Sequence, residues 1–163
     1  MLIRPAERRD AEAIAAIYNH AVETSVATMD LRSRTLEEQE AWIEERSGAL
    51  PALVAVIDGR VMGFAGVSPH RSRPAYRSSV EDSIYLDPDA QGRGVGKALL
   101  TALLEATGEA GYHAVFARCV AGGADASIAL HKKLGFFEVG VEREVGRKFG
   151  RWHDVVVLQK LLG

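Results

Sequence analysis

Hydrophobic positions along the chain switch between a period near two and a period near 3.6, and each switch marks an element. Ala52 to Ile57 and Val61 to Val67 are apolar runs of strand length on either side of Asp58-Gly59, which predicts a hairpin. Val95, Ala98, Leu99, Ala102, Leu103 and Ala106 follow one face of a helix that Gly108 and Gly111 close. Ile14, Ile17, Tyr18 and Ala21 form a similar face, with Asp10 placed to cap that helix. The pair Thr35 and Glu38 has capping-box spacing and opens a second helix running to about Arg46. Leu2-Ile3-Arg4 reads as a first strand stopped by Pro5. Val80–Leu86, Ala114–Val120, Phe136–Val145 and Asp154–Leu161 read as further strands, the last two joined by Gly146–His153. Ser68–Ser79 is polar and predicts a surface loop. Gly122-Gly123 breaks a strand before a helix from near Asp125 to Gly135.

The order is therefore β-α-α-β-β-β-α-β-α-β-β. A hairpin-rich half followed by a strand–helix–strand unit predicts an α/β fold: a mixed, mostly antiparallel central sheet with helices on both faces. At 163 residues, 47% hydrophobic and 26% charged, residues 1–163 are expected to form one domain with a sizeable core. A net charge of −2 gives no global field for nucleic acid or an anionic membrane. A single cysteine, Cys119, lies in an apolar run and reads as a buried thiol. The histidines His20, His70, His113, His131 and His153 are scattered without metal-ligand spacing, so no metal is expected. No signal-peptide core or membrane-length run is seen, and a cytoplasmic location is the expectation.

One stretch carries chemistry. Asp87-Pro88-Asp89-Ala90-Gln91-Gly92-Arg93-Gly94-Val95-Gly96-Lys97-Ala98 joins a strand to a helix through alternating glycines. Such a junction leaves consecutive backbone N–H groups bare at the positive end of a helix dipole, which makes an anion site. A phosphate-binding P-loop requires glycine where Gln91 stands and Ser or Thr where Ala98 stands. A dinucleotide fingerprint starting at Gly92 requires glycine where Lys97 stands. Both templates fail. What remains, Gln91-x-x-Gly94-x-Gly96, resembles the coenzyme A pyrophosphate loop of the GNAT acetyltransferases; a glycine-rich turn with no ligand is the plain alternative.

Further blocks narrow the resemblance. Ile17-Tyr18-Asn19-x-Ala21-Val22, Arg73-Pro74-Ala75-Tyr76-Arg77, Val80-Glu81-Asp82-Ser83-Ile84-Tyr85, Ser127-Ile128-x-Leu130-His131-Lys132-Lys133-Leu134-Gly135-Phe136 and Lys148-Phe149-Gly150-Arg151-Trp152-x-Asp154-Val155 are similar to the phosphinothricin / methionine sulfoximine N-acetyltransferases, over the whole chain. The resemblance implies acetyl-CoA as cosubstrate and a small-molecule amine as acceptor. It implies a homodimer, while the charge balance above leaves no nucleic-acid or membrane partner expected. One position departs: where the family carries Asn before the Ser-x-x-Leu-His block, this chain has Ala124, so backbone groups there would have to meet the pantetheine arm.

Moving an acetyl group from a thioester to an amine requires a neutral amine, a polarised carbonyl and a leaving thiolate. Strand alternation puts Glu81, Ser83 and Tyr85 on one face and Val80, Asp82, Ile84 and Leu86 on the other. Glu81, a partly desolvated carboxylate beside the glycine loop, is the general-base candidate, and the resemblance points to the same residue. A solvated Glu81 paired with an arginine is the bland alternative, and Asp82 is the rival base if a bulge swaps the faces. The backbone of Ser83, Ile84 and Tyr85 is expected to pair with the pantetheine amides, and an N–H near Ile84 or Tyr85 to polarise the thioester carbonyl. The N–H groups of Gln91, Gly92, Arg93, Gly94, Val95, Gly96 and Lys97 are expected to hold the pyrophosphate, Arg93 and Lys97 adding charge. His131 stands where many relatives carry a tyrosine that protonates the sulfur; it is read either as that acid or as a structural residue under the cofactor. For the acceptor, Arg71 and Tyr76 supply a guanidinium fork and a hydroxyl next to Val80, Glu81 and Asp82. The reading is an N-acetyltransferase acting directly on the α-amine of a small amino acid. The alternatives are another amine (polyamine, aminoglycoside or protein N-terminus) or a non-catalytic acyl-CoA-binding module.

Overall fold

Residues 1–163 are described by a computed structural model. The strands are β1 (Leu2–Pro5), β2 (Ala52–Ile57), β3 (Arg60–Pro69), β4 (Ser79–Leu86), β5 (Ala114–Val120), β6 (Phe137–Lys148) and β7 (Arg151–Leu161). The helices are α1 (Ala11–Thr24), α2 (Leu36–Glu45), α3 (Val95–Glu109) and α4 (Asp125–Lys133). The strands form one sheet in the order β1-β2-β3-β4-β5-β7-β6. Only the β4–β5 pair is parallel, because α3 crosses over between those two strands. The element order and the mixed sheet match the expectation from the sequence.

Local chemistry explains most boundaries. Thr35 accepts from the N–H of Glu38 while the Glu38 carboxylate accepts from the N–H of Thr35, so the capping box forms as predicted. Asp58 and Gly59 turn the β2–β3 hairpin with φ of 50° and 76°. Asp10 precedes α1, but its side chain does not cap the helix. Its carboxylate is held by the Arg4 guanidinium at 2.7 and 2.8 Å and by the Glu7 N–H, since a buried acid gains more from a bidentate cation than from one amide. Helix α3 continues through Gly108 to Glu109 and ends near Gly111, at φ 90°. Its buried stripe is Val95, Leu99, Leu100, Leu103 and Leu104, with Ala98, Ala102 and Ala106 at the margin.

The largest departure is at the C-terminal hairpin. The expected connection Gly146–His153 contracts to a two-residue turn, Phe149-Gly150, with φ of 52° and 71°. A bulge between Glu142 and Gly146 re-aims β6, and Asp154 holds it by accepting from the N–H of Glu144, itself at φ 47°.

The sheet is covered on both faces. Helices α1 and α2 pack Ile14, Tyr18 and Ile43 against Val54 and Phe64. Helix α3 packs its stripe against Ala65, Val67, Val80 and Val115 on the other face. Each fully buried side chain of this kind contributes about 1.5–3 kcal/mol.

Candidate active site

Strand β4 is bordered differently on its two sides. Against β3 it is paired along its length, from Pro69↔Val80 to Gly63↔Leu86. Against β5 it is paired only at Ser79↔Ala114, Val80↔Val115 and Glu81↔Phe116. Beyond Phe116, β5 continues with β7 alone, as far as Val120↔Val155. The two parallel strands therefore part at Glu81, and β4 from Asp82 to Leu86 has a strand partner on one side only. Such an edge offers backbone donors and acceptors to an extended ligand.

The glycine loop continues that edge. Gly92 and Gly94 sit at φ 72° and 78°, where only glycine rests without strain, and Gly94 is the residue preceding α3. The N–H groups of Gly92, Arg93, Gly94, Val95, Gly96 and Lys97 have no acceptor within the chain, and they lie at the positive end of α3. The junction thus presents the run of orphan donors that an anion site requires. Gly96 has a different reason: a Cβ there would meet Leu86 Cδ1 and Leu130 Cδ2, each at 3.4 Å, so its missing side chain lets α3 pack on β4 and α4. Gln91, Arg93 and Lys97 are exposed, but the Gln91 N–H, expected in the run, is committed to the Pro88 carbonyl at 3.4 Å.

On the Glu81 face, the structure assembles a cluster. The Glu81 carboxylate lies 3.0 Å from His70 Nδ1. The His70 ring stacks flat on Phe116, 4.1 Å between centroids and 6° between planes. Arg71 Nε donates to His70 Nε2 at 3.3 Å, and the Arg71 guanidinium stands 5.6 Å from the Tyr76 ring centroid. Glu81, Arg71 and Tyr76 are therefore brought together through His70, a residue with no motif of its own in the sequence. The β3–β4 register brings it there: Ser68 faces Glu81, and His70 is the next residue on that face.

Farther along this face Ser83 and Tyr85 help line a cavity of ≈240 Å³ with Tyr18, Arg34, Trp42 and Phe64. The Tyr18 hydroxyl bonds to Asp30 and lies 3.1 Å from Thr28 Oγ1, and the Arg34 guanidinium stacks 3.8 Å above its ring. Burial pushes both phenols, Tyr18 and Tyr85, above their ordinary pKa, so both stay protonated near neutral pH. Asn19 fixes the loop over this cavity by exchanging two hydrogen bonds with the Arg34 backbone, at 2.8 and 2.9 Å. The buried Lys148 ammonium donates to the Thr28 carbonyl at 2.8 Å, and a Cβ on Gly146 would lie 2.7 Å from Met29 Sδ. The tip of the β6–β7 hairpin thereby closes the cavity loop, a role of Lys148 not foreseen from sequence.

The opposite face of β4 corrects the expectations for Val80 and Asp82 and favours the structural reading of His131. Val80 is fully buried in the core beneath α3, so it cannot line an acceptor pocket. Asp82 points into the α4 side, not toward Arg71 and Tyr76. His131 is 1% exposed and sits between two acceptors: its Nε2 is 3.1 and 3.2 Å from the Asp82 oxygens and its Nδ1 is 2.7 Å from the Ser127 carbonyl. Burial pushes the His131 pKa down, but the hydrogen bond and charge of Asp82 and the Ser127 carbonyl outweigh it, and the net shift is upward. Both ring nitrogens are occupied, so the imidazolium serves as a buried tie between β4 and α4 just past the point where β4 leaves β5. Cys119 lies 3.6 Å from Ser127 Oγ, and burial pushes its thiol pKa up, which keeps it an inert packed thiol. Ala124 also departs from expectation: its N–H is committed to the Val120 carbonyl at 3.0 Å and it has no polar side chain.

Comparison with known proteins places the whole chain among acetyltransferases. The acetyltransferase (GNAT) family matches residues 14–136. The chain is 39% identical to an L-methionine sulfoximine/L-methionine sulfone acetyltransferase of Salmonella typhimurium, over 98% of this chain and 93% of that protein. A phosphinothricin acetyltransferase from Sinorhizobium meliloti, solved in complex with acetyl-CoA, superposes with a TM-score of 0.94 at 38% identity, covering 99% of this chain and 88% of that one. A ribosomal-protein-alanine N-acetyltransferase structure from Brucella melitensis superposes with a TM-score of 0.96 at 41% identity, covering 99% of both chains.

Proposed function

The chain belongs to the GNAT acetyltransferase family, and from that premise we propose that it transfers acetyl from acetyl-CoA to the α-amine of a small amino acid of the phosphinothricin or methionine sulfoximine type, with Glu81 as general base. One observation carries the reading. Glu81 stands where β4 and β5 part, with the open edge of β4 and the orphan N–H loop beyond it and the Arg71–Tyr76 cluster beside it.

Acetyl-CoA supplies the thioester; the remaining work falls to the chain. The N–H groups of Gly92 to Lys97 hold the pyrophosphate, and the edge of β4 aligns the pantetheine arm. An N–H of Ile84 or Tyr85 polarises the thioester carbonyl. The Glu81 carboxylate accepts a proton from the acceptor's ammonium, directly or through one water, and the freed lone pair attacks the carbonyl carbon. The new C–N bond forms and the C–S bond breaks; the second proton of the attacking nitrogen passes to the departing thiolate, which leaves a neutral amide and a thiol. Arg71 and Tyr76 bind the acceptor's oxyanion groups. His131 acts at a distance, by holding α4 to β4.

A protein N-terminus is the second acceptor class, favoured by the likeness to the Brucella enzyme. Thiol release from acetyl-CoA with phosphinothricin, methionine sulfoximine, spermidine and an alanine-initiated peptide separates the two. The proposal predicts the highest kcat/KM for one of the two amino acids. Preference for the peptide or spermidine contradicts it.

A further inference from the structure

We propose that His70 is the positioning residue of the Glu81 base: it orients the carboxylate through Nδ1–H and leaves the second carboxylate oxygen for the acceptor's amine. The inference rests on the reading of Glu81 given above.

The hydrogen-bond chain fixes the tautomer. Arg71 Nε carries a hydrogen and can only donate, so His70 Nε2, 3.3 Å away, must present its lone pair. The proton of a neutral His70 is then on Nδ1, 3.0 Å from Glu81 Oε2. Glu81 Oε1 has no partner within the chain. The donor is rigid. His70 lies flat on Phe116, the residue that pairs with Glu81 across the last rung between β4 and β5, and Tyr76 meets the ring edge-on at 77°. Stack and base are thus set by the same register position. The side chain of His70 is 11% exposed and that of Glu81 30%, so the bond forms in a site largely shielded from solvent, where a hydrogen bond to a carboxylate counts for more than in water. Without it, a glutamate with three side-chain torsions and no other partner samples several rotamers. Few of these face the amine.

The test is a cycle of His70→Phe, Glu81→Gln and the double variant, with His70→Asn beside them. Phenylalanine keeps the stack on Phe116 and removes the donor; asparagine keeps an N–H near the place of Nδ1. His70→Phe is expected to lower kcat about 10- to 100-fold, the worth of a hydrogen bond to a charged group, with acetyl-CoA affinity unchanged. His70→Asn is expected to recover most of that loss. In the Glu81→Gln background His70→Phe should cost nothing further, because its effect passes through the carboxylate. Full activity of His70→Phe overturns the inference, and so does an additive loss in the double variant. If His70→Phe fails to fold, His70→Asn against His70→Ala carries the same comparison, and equal activity of those two overturns it. Failure of the base assignment itself is read separately, as near-normal turnover of Glu81→Gln alone.

Discussion

Replacing Asp82 by Asn removes the charge from the buried tie between β4 and α4 and leaves its shape. His131 is 1% exposed and the Asp82 side chain 3%, so neither partner can turn to water for a substitute. Breaking a buried ion pair by removing one partner costs about 3–5 kcal/mol. Unfolding entropy of about 2.1 cal/mol/K per residue gives about 0.34 kcal/mol/K for 163 residues. The variant should therefore melt about 9–15 °C below the parent at pH 6. The pH dependence follows from the direction of the His131 shift. The folded-state pKa is raised above the unfolded value, so the stabilisation is fully present below the unfolded pKa of about 6.5 and is lost as pH rises through the folded one. Once His131 is neutral it still donates from Nε2, but its bare Nδ1 faces the Ser127 carbonyl and hydroxyl, and the Tm gap should shrink to that of one ordinary hydrogen bond, about 1 kcal/mol or roughly 3 °C. Differential scanning calorimetry of both proteins from pH 6 to 9 measures this. A Tm gap that stays constant across that range, or a gap below about 2 °C at pH 6, refutes the buried imidazolium.

Two further predictions concern the cofactor loop and assembly. Gly94→Val forces a β-branched residue to φ 78°, a strain on the order of 1–3 kcal/mol, so the loop should relax and its N–H groups turn away; calorimetric titration should give acetyl-CoA affinity at least about 10-fold weaker, and parental affinity would refute the anion-loop assignment. The exposed Phe137, Val139, Val145, Phe149 and Trp152 along the free edge of β6 and the hairpin turn support a homodimer; light scattering should give about twice 17.6 kDa, and a mass of one chain would refute it.

What the sequence made legible was local. The capping box at Thr35, the Asp58-Gly59 turn, the faces of β4 and the glycine loop each depend on residues within a few positions of one another, and each appears in the structure. What it hid was set by register and distance. Glu81 meets His70 only because β3 pairs with β4 in the register that sets Ser68 opposite Glu81. His131 reaches Asp82 across 49 positions, and Lys148 reaches Thr28 across 120. Periodicity carries no trace of such partners. The long arms of β6 and β7 were missed for another reason: near the turn both strands are largely exposed, so the burial that creates an alternating pattern is absent. Asp10 was misread because capping logic weighs neighbours on the helix and cannot see Arg4 arriving from β1.

The central claim is that Glu81 removes the acceptor's proton at a site whose cofactor contacts lie elsewhere. Steady-state kinetics of Glu81→Gln, paired with acetyl-CoA binding by calorimetry, tests it most directly. The account predicts that kcat/KM for the preferred amino acid falls by roughly 10²- to 10⁴-fold, while acetyl-CoA binds as tightly as to the parent. Near-normal turnover in Glu81→Gln, with Asp82→Asn inactive at a temperature where it remains folded, would contradict it and move the base to the other face of β4.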